Sequence, residues 1–100
     1  RDDEFVATAR LSLSGLLLEA GQPVEAAALL KGKEYPGFKG LFHDRLGDIA
    51  FASKDYPGAK AEYDAALASL QANSPWMEVV KRKLSALPAS SAAEPSPAKP

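Results

Sequence analysis

The sequence predicts an all-α fold, an α-solenoid of two helical hairpins followed by a C-terminal capping helix. Three observations indicate this fold. Apolar residues recur every three or four positions along most of the chain, which is the period of amphipathic helices. Glycine and proline interrupt that period where helices would end and begin. The two halves of the periodic region also match each other at one constant shift, as internal repeats do.

Length and composition fit one small globular domain. The chain has 100 residues, of which 46% are hydrophobic. Its net charge is −1, from 12 Lys and Arg against 13 Asp and Glu, so it has no basic excess for nucleic acid. The lack of cysteine excludes disulfides, thiolate metal sites and cysteine nucleophiles. The longest apolar runs are far shorter than the ~20 residues that cross a bilayer.

The first hairpin is predicted at about residues 3–32. Its first helix has an apolar stripe that we expect to be buried: Phe5, Ala9, Leu13, Leu16, Leu17 and Ala20. We expect Arg10, Ser14 and Glu19 to face water. Gly21 ends this helix and Pro23 begins the next, because glycine favours helix ends and proline the first turn. The second helix is short, stops before Gly32 and buries Val24, Ala27, Leu29 and Leu30.

The second hairpin is predicted at about residues 38–72. Its first helix runs from about Phe38 to Ser53, with these buried residues: Leu41 or Phe42, Leu46, Ile49 and Ala50. Asp55 is the expected N-cap of the following helix, and Pro57 lies in its first turn. The predicted buried face of that helix is Tyr56, Ala59, Tyr63, Ala66, Leu67 and Leu70.

A capping helix is predicted over residues 75–87, started by Ser74 and Pro75. Its buried row is Trp76, Val80, Leu84 and Leu87, while Lys81, Arg82 and Lys83 are expected to point mostly outward. We expect Trp76 to cover the apolar end of the second hairpin, or else to anchor a partner. Residues 1–87 then form the repeat domain. Residues 88–100, rich in Pro, Ala and Ser, are predicted to be a disordered tail.

One shift along the chain superposes the two hairpins, and we call it the repeat shift. It places these residues on each other: Leu13 on Leu46, Ser14 on Gly47, Gly21 on Lys54, Ala26 on Ala59 and Leu30 on Tyr63. Its length of about 33 residues is close to the period of helical-hairpin repeats. Leu46-Gly47, Ala59, Tyr63 and Ala66 also fit the L-G…A-x3-F pattern of tetratricopeptide repeats. Small residues let two helices approach to about 8–10 Å, and large residues fill the space beside them.

Three stretches carry a resemblance to a known family: "ARLSLSGLLLEAGQPVEAAALL", "LFHDRLGDIAFASKDYPGAKAEYDAAL" and "SPWMEVVKRKLSAL". Over residues 7–87 the chain resembles the C-terminal part of the periplasmic tetratricopeptide-like domain of the ancillary SecYEG translocon subunit, the YfgM type. The chain departs from that family in Trp76 to Val80 and in its long tail. The family has one membrane-spanning anchor and a repeat domain that meets the translocon and periplasmic chaperones. Since the sequence starts at Arg1 without Met or a signal, we expect a piece of a longer or processed protein. The resemblance implies that this piece is a soluble fragment without its anchor.

The resemblance implies a groove for an extended peptide on the concave face formed by the first helix of each hairpin. The candidate groove residues are Leu11, Leu18, Glu19, Leu41, Asp44, Asp48 and Phe51. The four apolar ones would grip apolar side chains, while the three acids would favour a basic flank. The same apolar residues are equally well explained as core residues, packed against the helices of an upstream repeat outside this chain or against the fifth helix.

Other chemistry has weaker support. His43 and Asp44 point about 100° apart on one helix, so the pair of Asp44 and Asp48 lacks a third convergent ligand and no metal site is expected. No histidine base can be placed beside a serine, and no catalytic residue or cofactor is expected. The basic run of residues 81–83 fits a solvated helix end better than a lipid or nucleic-acid site.

The expected function is therefore a non-catalytic protein–protein interaction module. By the resemblance it lies at the periplasmic face of a bacterial inner membrane, held by an anchor helix outside this chain. Its expected partners are Sec translocon subunits, periplasmic chaperones or unfolded client polypeptides. Two alternatives remain: a generic tetratricopeptide scaffold of another envelope or cytosolic complex, and the regulatory appendage of an enzyme.

Overall fold

The computed structural model describes residues 2–88. Within this range the chain forms α-helices and no strand, which confirms the predicted all-α class. The helices are α1 (Asp2–Glu19), α2 (Pro23–Ala28), α3 (Lys39–Ala52), α4 (Tyr56–Ser69) and α5 (Trp76–Ser85). Apart from Pro88, the predicted tail lies outside the described residues, so the division into a domain over 1–87 and a tail stays a prediction.

The turns of the two hairpins have the same backbone geometry. Gly21, between α1 and α2, has a φ of 81°, and Lys54, between α3 and α4, has a φ of 64°. A positive φ is uncommon for a residue other than glycine. Its recurrence at the residue that the repeat shift pairs with Gly21 therefore supports this alignment of the hairpins.

The helix starts follow the predicted capping chemistry. The Asp55 carboxylate accepts a hydrogen bond of 3.0 Å from the Gly58 backbone N–H, which makes Asp55 the N-cap of α4. Pro23 is the first residue of α2, where its missing N–H costs no helical hydrogen bond. Before α5, the Ser74 hydroxyl accepts a hydrogen bond of 3.1 Å from the Trp76 N–H.

Two apolar clusters form the core, and the first one joins the hairpins. It contains Ala7 of α1, Ala26 and Leu30 from the first hairpin, and Phe42 and Ile49 of α3. The second hairpin therefore completes the core of the first one, as stacked repeats do.

The second cluster belongs to the second hairpin and the capping helix. Ala59, Tyr63 and Ala66 of α4 pack with Val80 of α5, and all four are buried. Leu84 and Leu87 pack against them as well.

Small residues stand where α3 and α4 approach closely. A Cβ atom added at Gly47 would lie 2.5 Å from Cε1 of Tyr63, and one added at Gly40 would lie 2.7 Å from Cδ2 of Leu70. These distances are shorter than any normal contact between carbon atoms. The small and the large residues are therefore parts of one contact, as predicted.

The predicted buried face of α1 is wrong except at Leu17, which is half-buried and packs against the first core. Phe5, Leu13 and Leu16 have exposed fractions of 76%, 47% and 63%, and Ala9 and Ala20 are exposed too. The opposite side of the helix faces the core: Ala7 is fully buried, and Leu11 and Leu18 are half-buried. Ser14, which we expected to face water, is fully buried there too. α1 is apolar on both sides, and small Ala7 and Ser14 can lie in a tighter contact than the larger residues can.

Two further expectations for the first hairpin also need correction. Val24 has an exposed fraction of 78%, although we expected it in the buried stripe of α2. Arg10, expected in water, donates hydrogen bonds of 3.1 Å to the Tyr35 hydroxyl and 3.0 Å to the Leu29 carbonyl. Because α2 ends at Ala28, the backbone of Leu29 is free to accept this bond.

Candidate polypeptide-binding surface

Two acids of the predicted groove are already paired with a lysine. Asp44 and Asp48 lie one turn apart on α3, and Lys83 of α5 reaches both of them. Its Nζ lies 3.1 Å from each carboxylate oxygen of Asp44 and 3.1 Å from Oδ1 of Asp48. The expectation that Lys83 points outward is therefore wrong, because this lysine is on the inner face of α5.

A second basic residue links Asp48 to α1. Arg45 of α3 donates hydrogen bonds to the Leu11 carbonyl and, at 3.1 Å, to the Ser14 hydroxyl. Its Nε lies 4.0 Å from Oδ2 of Asp48. Gly15 leaves room for the guanidinium, since a Cβ atom there would lie 2.6 Å from Nη1 of Arg45.

The second hairpin contributes a tyrosine to this network. The Tyr63 hydroxyl of α4 donates a hydrogen bond of 2.6 Å to Oδ1 of Asp48. The Nζ atom of Lys83 also lies 5.8 Å from the centre of the Tyr63 ring. We call this set the polar bridge; its members are Ser14, Asp44, Arg45, Asp48, Tyr63 and Lys83.

The polar bridge shifts two ionisation equilibria. Burial raises the pKa of Asp44 above its usual range, the negative charge of Asp48 raises it further, and the bond to Lys83 only partly opposes this rise. Burial and the hydrogen bond to Asp48 also raise the pKa of Tyr63. The environment of Asp44 therefore disfavours its charged form in spite of the bound lysine.

The apolar members of the predicted groove lie in different settings. Leu11 and Leu18 are half-buried and pack against the first core, which agrees with the core interpretation of these residues. Phe51 is 44% exposed, and its ring centre lies 5.5 Å from that of Tyr56. Glu19 is exposed at the end of α1.

Leu41 lines a separate cleft of about 480 Å³, beside Gly40, Leu70 and Trp76. Trp76 is 45% exposed, so it covers the end of the second hairpin only in part. The fully buried residue of the capping helix is Val80.

A larger cleft lies where the hairpins join, outside the predicted groove. It measures about 730 Å³ and opens where α2 stops and the chain turns toward α3. Leu30, Tyr35, Phe42 and Leu46 are among the apolar residues that line it, and three lysines stand in its wall: Lys31, Lys33 and Lys39. No residue of the predicted groove lines this cleft.

His43, considered above as a metal ligand, has a local partner. Its Nδ1 lies 2.8 Å from Oε1 of Glu62 on α4. Over residues 2–88 no three His, Cys, Asp or Glu side chains are grouped so that they could hold a metal ion. In the same range, none of the helices combines the length and the apolar character needed to cross a membrane.

The groove prediction named Asp44 and Asp48 but missed Ser14, Arg45, Tyr63 and Lys83. A signal for Lys83 was present, since it lies three residues after Val80 and four before Leu87, on one face of α5. Arg45 gives no such signal, because its reach to α1 depends on the space above Gly15.

The comparisons with known proteins agree with this architecture. The family model described as a tetratricopeptide repeat-like domain matches residues 1–89. Neither a curated protein nor a solved structure gave a significant match. With two stacked hairpins that align at the repeat shift and a family match over almost its whole length, the chain belongs to the tetratricopeptide repeat-like domain family.

Proposed function

We propose that this chain is a non-catalytic protein–protein interaction scaffold that binds a partner polypeptide on the concave face of α1 and α3. The observation that carries the proposal is the exposed ring of Phe51, at the end of a face whose charges are already paired. Leu11 and Leu18 of α1, half-buried against the first core, add to this face only the parts of their side chains that remain exposed. Membership of a repeat family that commonly serves as an interaction scaffold supports the same role.

The charge pairs of the face favour apolar partners over basic ones. Lys83 and Arg45 neutralise Asp44 and Asp48, so Glu19 is the predicted groove acid that remains exposed. A basic flank of the bound peptide would gain little from acids that already have a partner. The preferred segment is therefore an extended one with apolar side chains, as in an unfolded client.

Sec translocon subunits and periplasmic chaperones are the proposed partners, at the periplasmic face of a bacterial inner membrane. This part rests on the sequence resemblance over residues 7–87. The alternative, a scaffold of another envelope or cytosolic complex, would use the same face. The identity of the bound proteins distinguishes the two.

The test is photocrosslinking in intact cells. A photoreactive residue replaces Phe51 in the full-length protein, and the same residue at Val24, another exposed apolar position outside the proposed face, serves as the control. Crosslinks from position 51 to Sec subunits or periplasmic folding factors, and none from position 24, support the proposal. Crosslinks from position 51 only within its own chain would contradict binding at this face. Crosslinks to other proteins would contradict the Sec assignment.

A further inference from the structure

The cleft of about 730 Å³ between the hairpins, which we call the junction cleft, lies where α2 is short. α2 has six residues, whereas α4, its counterpart at the repeat shift, has fourteen. Residues 62–69 of α4 correspond to residues 29–36, which form turns and irregular chain instead of helix. Gly32 and Gly37, with φ of 71° and 85°, oppose a helix here, as does Pro36. The first hairpin thus lacks roughly two helical turns, and the cleft opens beside α3.

The floor of the junction cleft is apolar and comes from both hairpins. Leu30 of the first hairpin and Phe42 of α3 are buried, while Tyr35 and Leu46 are half-buried. All four belong to the first core or pack against it, so the stacking of the two hairpins holds the floor in place. A large apolar side chain that entered the cleft would therefore meet a preformed apolar surface.

Unpaired lysines gather at this cleft. Within residues 2–88, three lysines form ion pairs with carboxylates: Lys60, Lys81 and Lys83. In the same range four lysines form none: Lys31, Lys33, Lys39 and Lys54. All of these four except Lys54 line the junction cleft, and they are exposed. The cleft therefore presents positive charge that the described chain does not neutralise.

The carboxylates of the cleft do not cancel this charge. Glu62 lies against His43, with Oε1 2.8 Å from Nδ1, and Glu34 is exposed in the turn region. The three lysines outnumber these two acids of the lining. Because the chain as a whole has a net charge of −1, the positive charge is a local feature of this surface. Local charge of this kind attracts an acidic partner and repels a basic one.

A second cleft continues the first one past Lys39. It is the cleft of about 480 Å³ beside Trp76, and it shares Gly37 and Lys39 with the junction cleft. Apart from Lys39, its described polar lining consists of hydroxyls and amides: Ser69, Gln71, Asn73 and Ser74. Trp76 is 45% exposed and adds apolar surface. Two adjoining clefts with a lysine between them suit an extended chain better than a compact molecule, which one cleft would hold.

We propose that the two clefts bind an extended acidic segment of a partner protein, with a large apolar side chain in the junction cleft and carboxylates beside the three lysines. This segment differs in charge from the apolar one proposed for the concave face. The chain would then have two binding surfaces of different chemistry. Residues 89–100 of the chain itself do not match the segment, since their sequence has Glu94 as its acid and no large apolar residue.

Fluorescence anisotropy of labelled peptides, titrated with the whole chain, tests the proposal. The probe is a peptide of about ten residues in which glutamates flank a central phenylalanine. One comparison peptide has glutamine in place of every glutamate, and another has alanine in place of the phenylalanine. We expect either change to raise the dissociation constant at least about tenfold. Raising the salt from about 50 mM to about 500 mM should weaken the binding of the glutamate peptide as well. Equal affinities for the glutamate and glutamine peptides would overturn the proposal.

Charge reversal in the chain tests the lysines. Lys33→Glu combined with Lys39→Glu should raise the dissociation constant of the glutamate peptide at least about tenfold, because attraction becomes repulsion. Lys60→Glu combined with Lys81→Glu makes the same change of net charge outside both clefts and should raise it less than about threefold. Circular dichroism of both variants checks that the helices remain. Equal losses in the two variants would mean that net charge, not the cleft, attracts the peptide, and would overturn the proposal.

Amide chemical shifts of the isotope-labelled chain locate the bound peptide. We expect the changes to concentrate in residues 31–39 and around Trp76. Changes around Phe51 instead would place the acidic peptide on the concave face and would overturn the second surface. A lack of binding by the glutamate peptide would overturn it too. Neither result would decide the role of the concave face, which the photocrosslinks from position 51 test separately.

Discussion

In the first hairpin, Ser14 and Leu30 occupy the positions that Gly47 and Tyr63 occupy in the second, and all four are buried. The larger Tyr63 requires a glycine opposite it, since even a Cβ atom at Gly47 would collide with its ring. The tyrosine also brings a hydroxyl that bonds to Asp48, which Leu30 cannot do. In the second hairpin, the residue that packs against Gly47 is therefore also a member of the polar bridge.

The hairpins also differ in how their outer sides are covered. The first hairpin packs on one side of α3, and on another side Lys83 of α5 forms ion pairs with Asp44 and Asp48. α1 has α2 and α3 on its inner side and an exposed apolar stripe on its outer side. Within residues 2–88, the same repeat unit is thus covered on this side in its second copy and exposed in its first.

The largest expected effect is that of Lys83→Met. This change leaves Asp44 and Asp48 without their lysine, and we expect it to lower the free energy of unfolding by about 2–3 kcal/mol at pH 7, less than a fully buried pair would lose. The loss should shrink as the pH falls and Asp44, whose pKa is raised, becomes protonated. Lys81→Met is the matched control, because Lys81 is exposed and its Nζ lies 3.6 Å from Oε2 of the exposed Glu78. Equal denaturation midpoints for the two variants would mean that α5 is not held by the polar bridge.

Ala59→Leu tests the small-residue contact of the second hairpin. Ala59 is fully buried, so the added atoms have no free space, and we expect a loss of about 1–3 kcal/mol. Ala61→Leu, two residues away on the exposed side of α4, should change the stability little. Thermal melts of both variants give the comparison. An unchanged melting temperature for Ala59→Leu would show that the helices are not in close contact there.

Gly47→Ser places in the second hairpin the residue that the first hairpin has at the equivalent position, Ser14. The serine Cβ would collide with the Tyr63 ring, and we expect a loss of about 1–2 kcal/mol. In a Tyr63→Leu background, which copies Leu30, the same serine should cost less than about 0.5 kcal/mol. A double-mutant cycle by urea denaturation measures this difference. Equal costs in both backgrounds would argue against a matched pair.

The smallest effect concerns the pH dependence from Asp44. Its pKa is raised in the folded chain, so the folded state holds this proton more tightly than the unfolded state does. The contribution of Asp44 to stability is therefore greatest below the unfolded pKa of about 3.9 and falls as the pH rises through the folded pKa. Asp44→Asn should remove this pH dependence. At pH 7 its free energy of unfolding should equal that of the natural chain or exceed it by less than about 1 kcal/mol. A clear loss of stability at pH 7 would show that the carboxylate is net favourable.

The helices, the turns and the repeat shift could be predicted from the sequence, because each depends on local signals such as Pro23, Gly21 and Asp55. The exposed side of α1 could not. The pattern of Phe5, Leu13 and Leu16 is strongly apolar, and in a chain taken alone that predicts burial. The structure instead turns the smaller Ala7 and Ser14 inward.

The candidate site was predictable only in part, for a similar reason. Asp44 and Asp48 follow from the repeat alignment. Their partners Lys83 and Arg45 depend on how α5 and α1 lie against α3, which no spacing within one helix gives.

Thiol modification of single cysteines at two equivalent positions tests most directly that the first hairpin is exposed on the side where the second is covered. Leu16 and Ile49 occupy the same place in the two repeats, with exposed fractions of 63% and 6%. Measured at a concentration where the chain is monomeric, Leu16→Cys should react nearly as fast as in the unfolded chain. Ile49→Cys should react at least about 100-fold more slowly, because it must wait for local opening. Equal rates at the two positions would contradict the stacked-repeat structure described above.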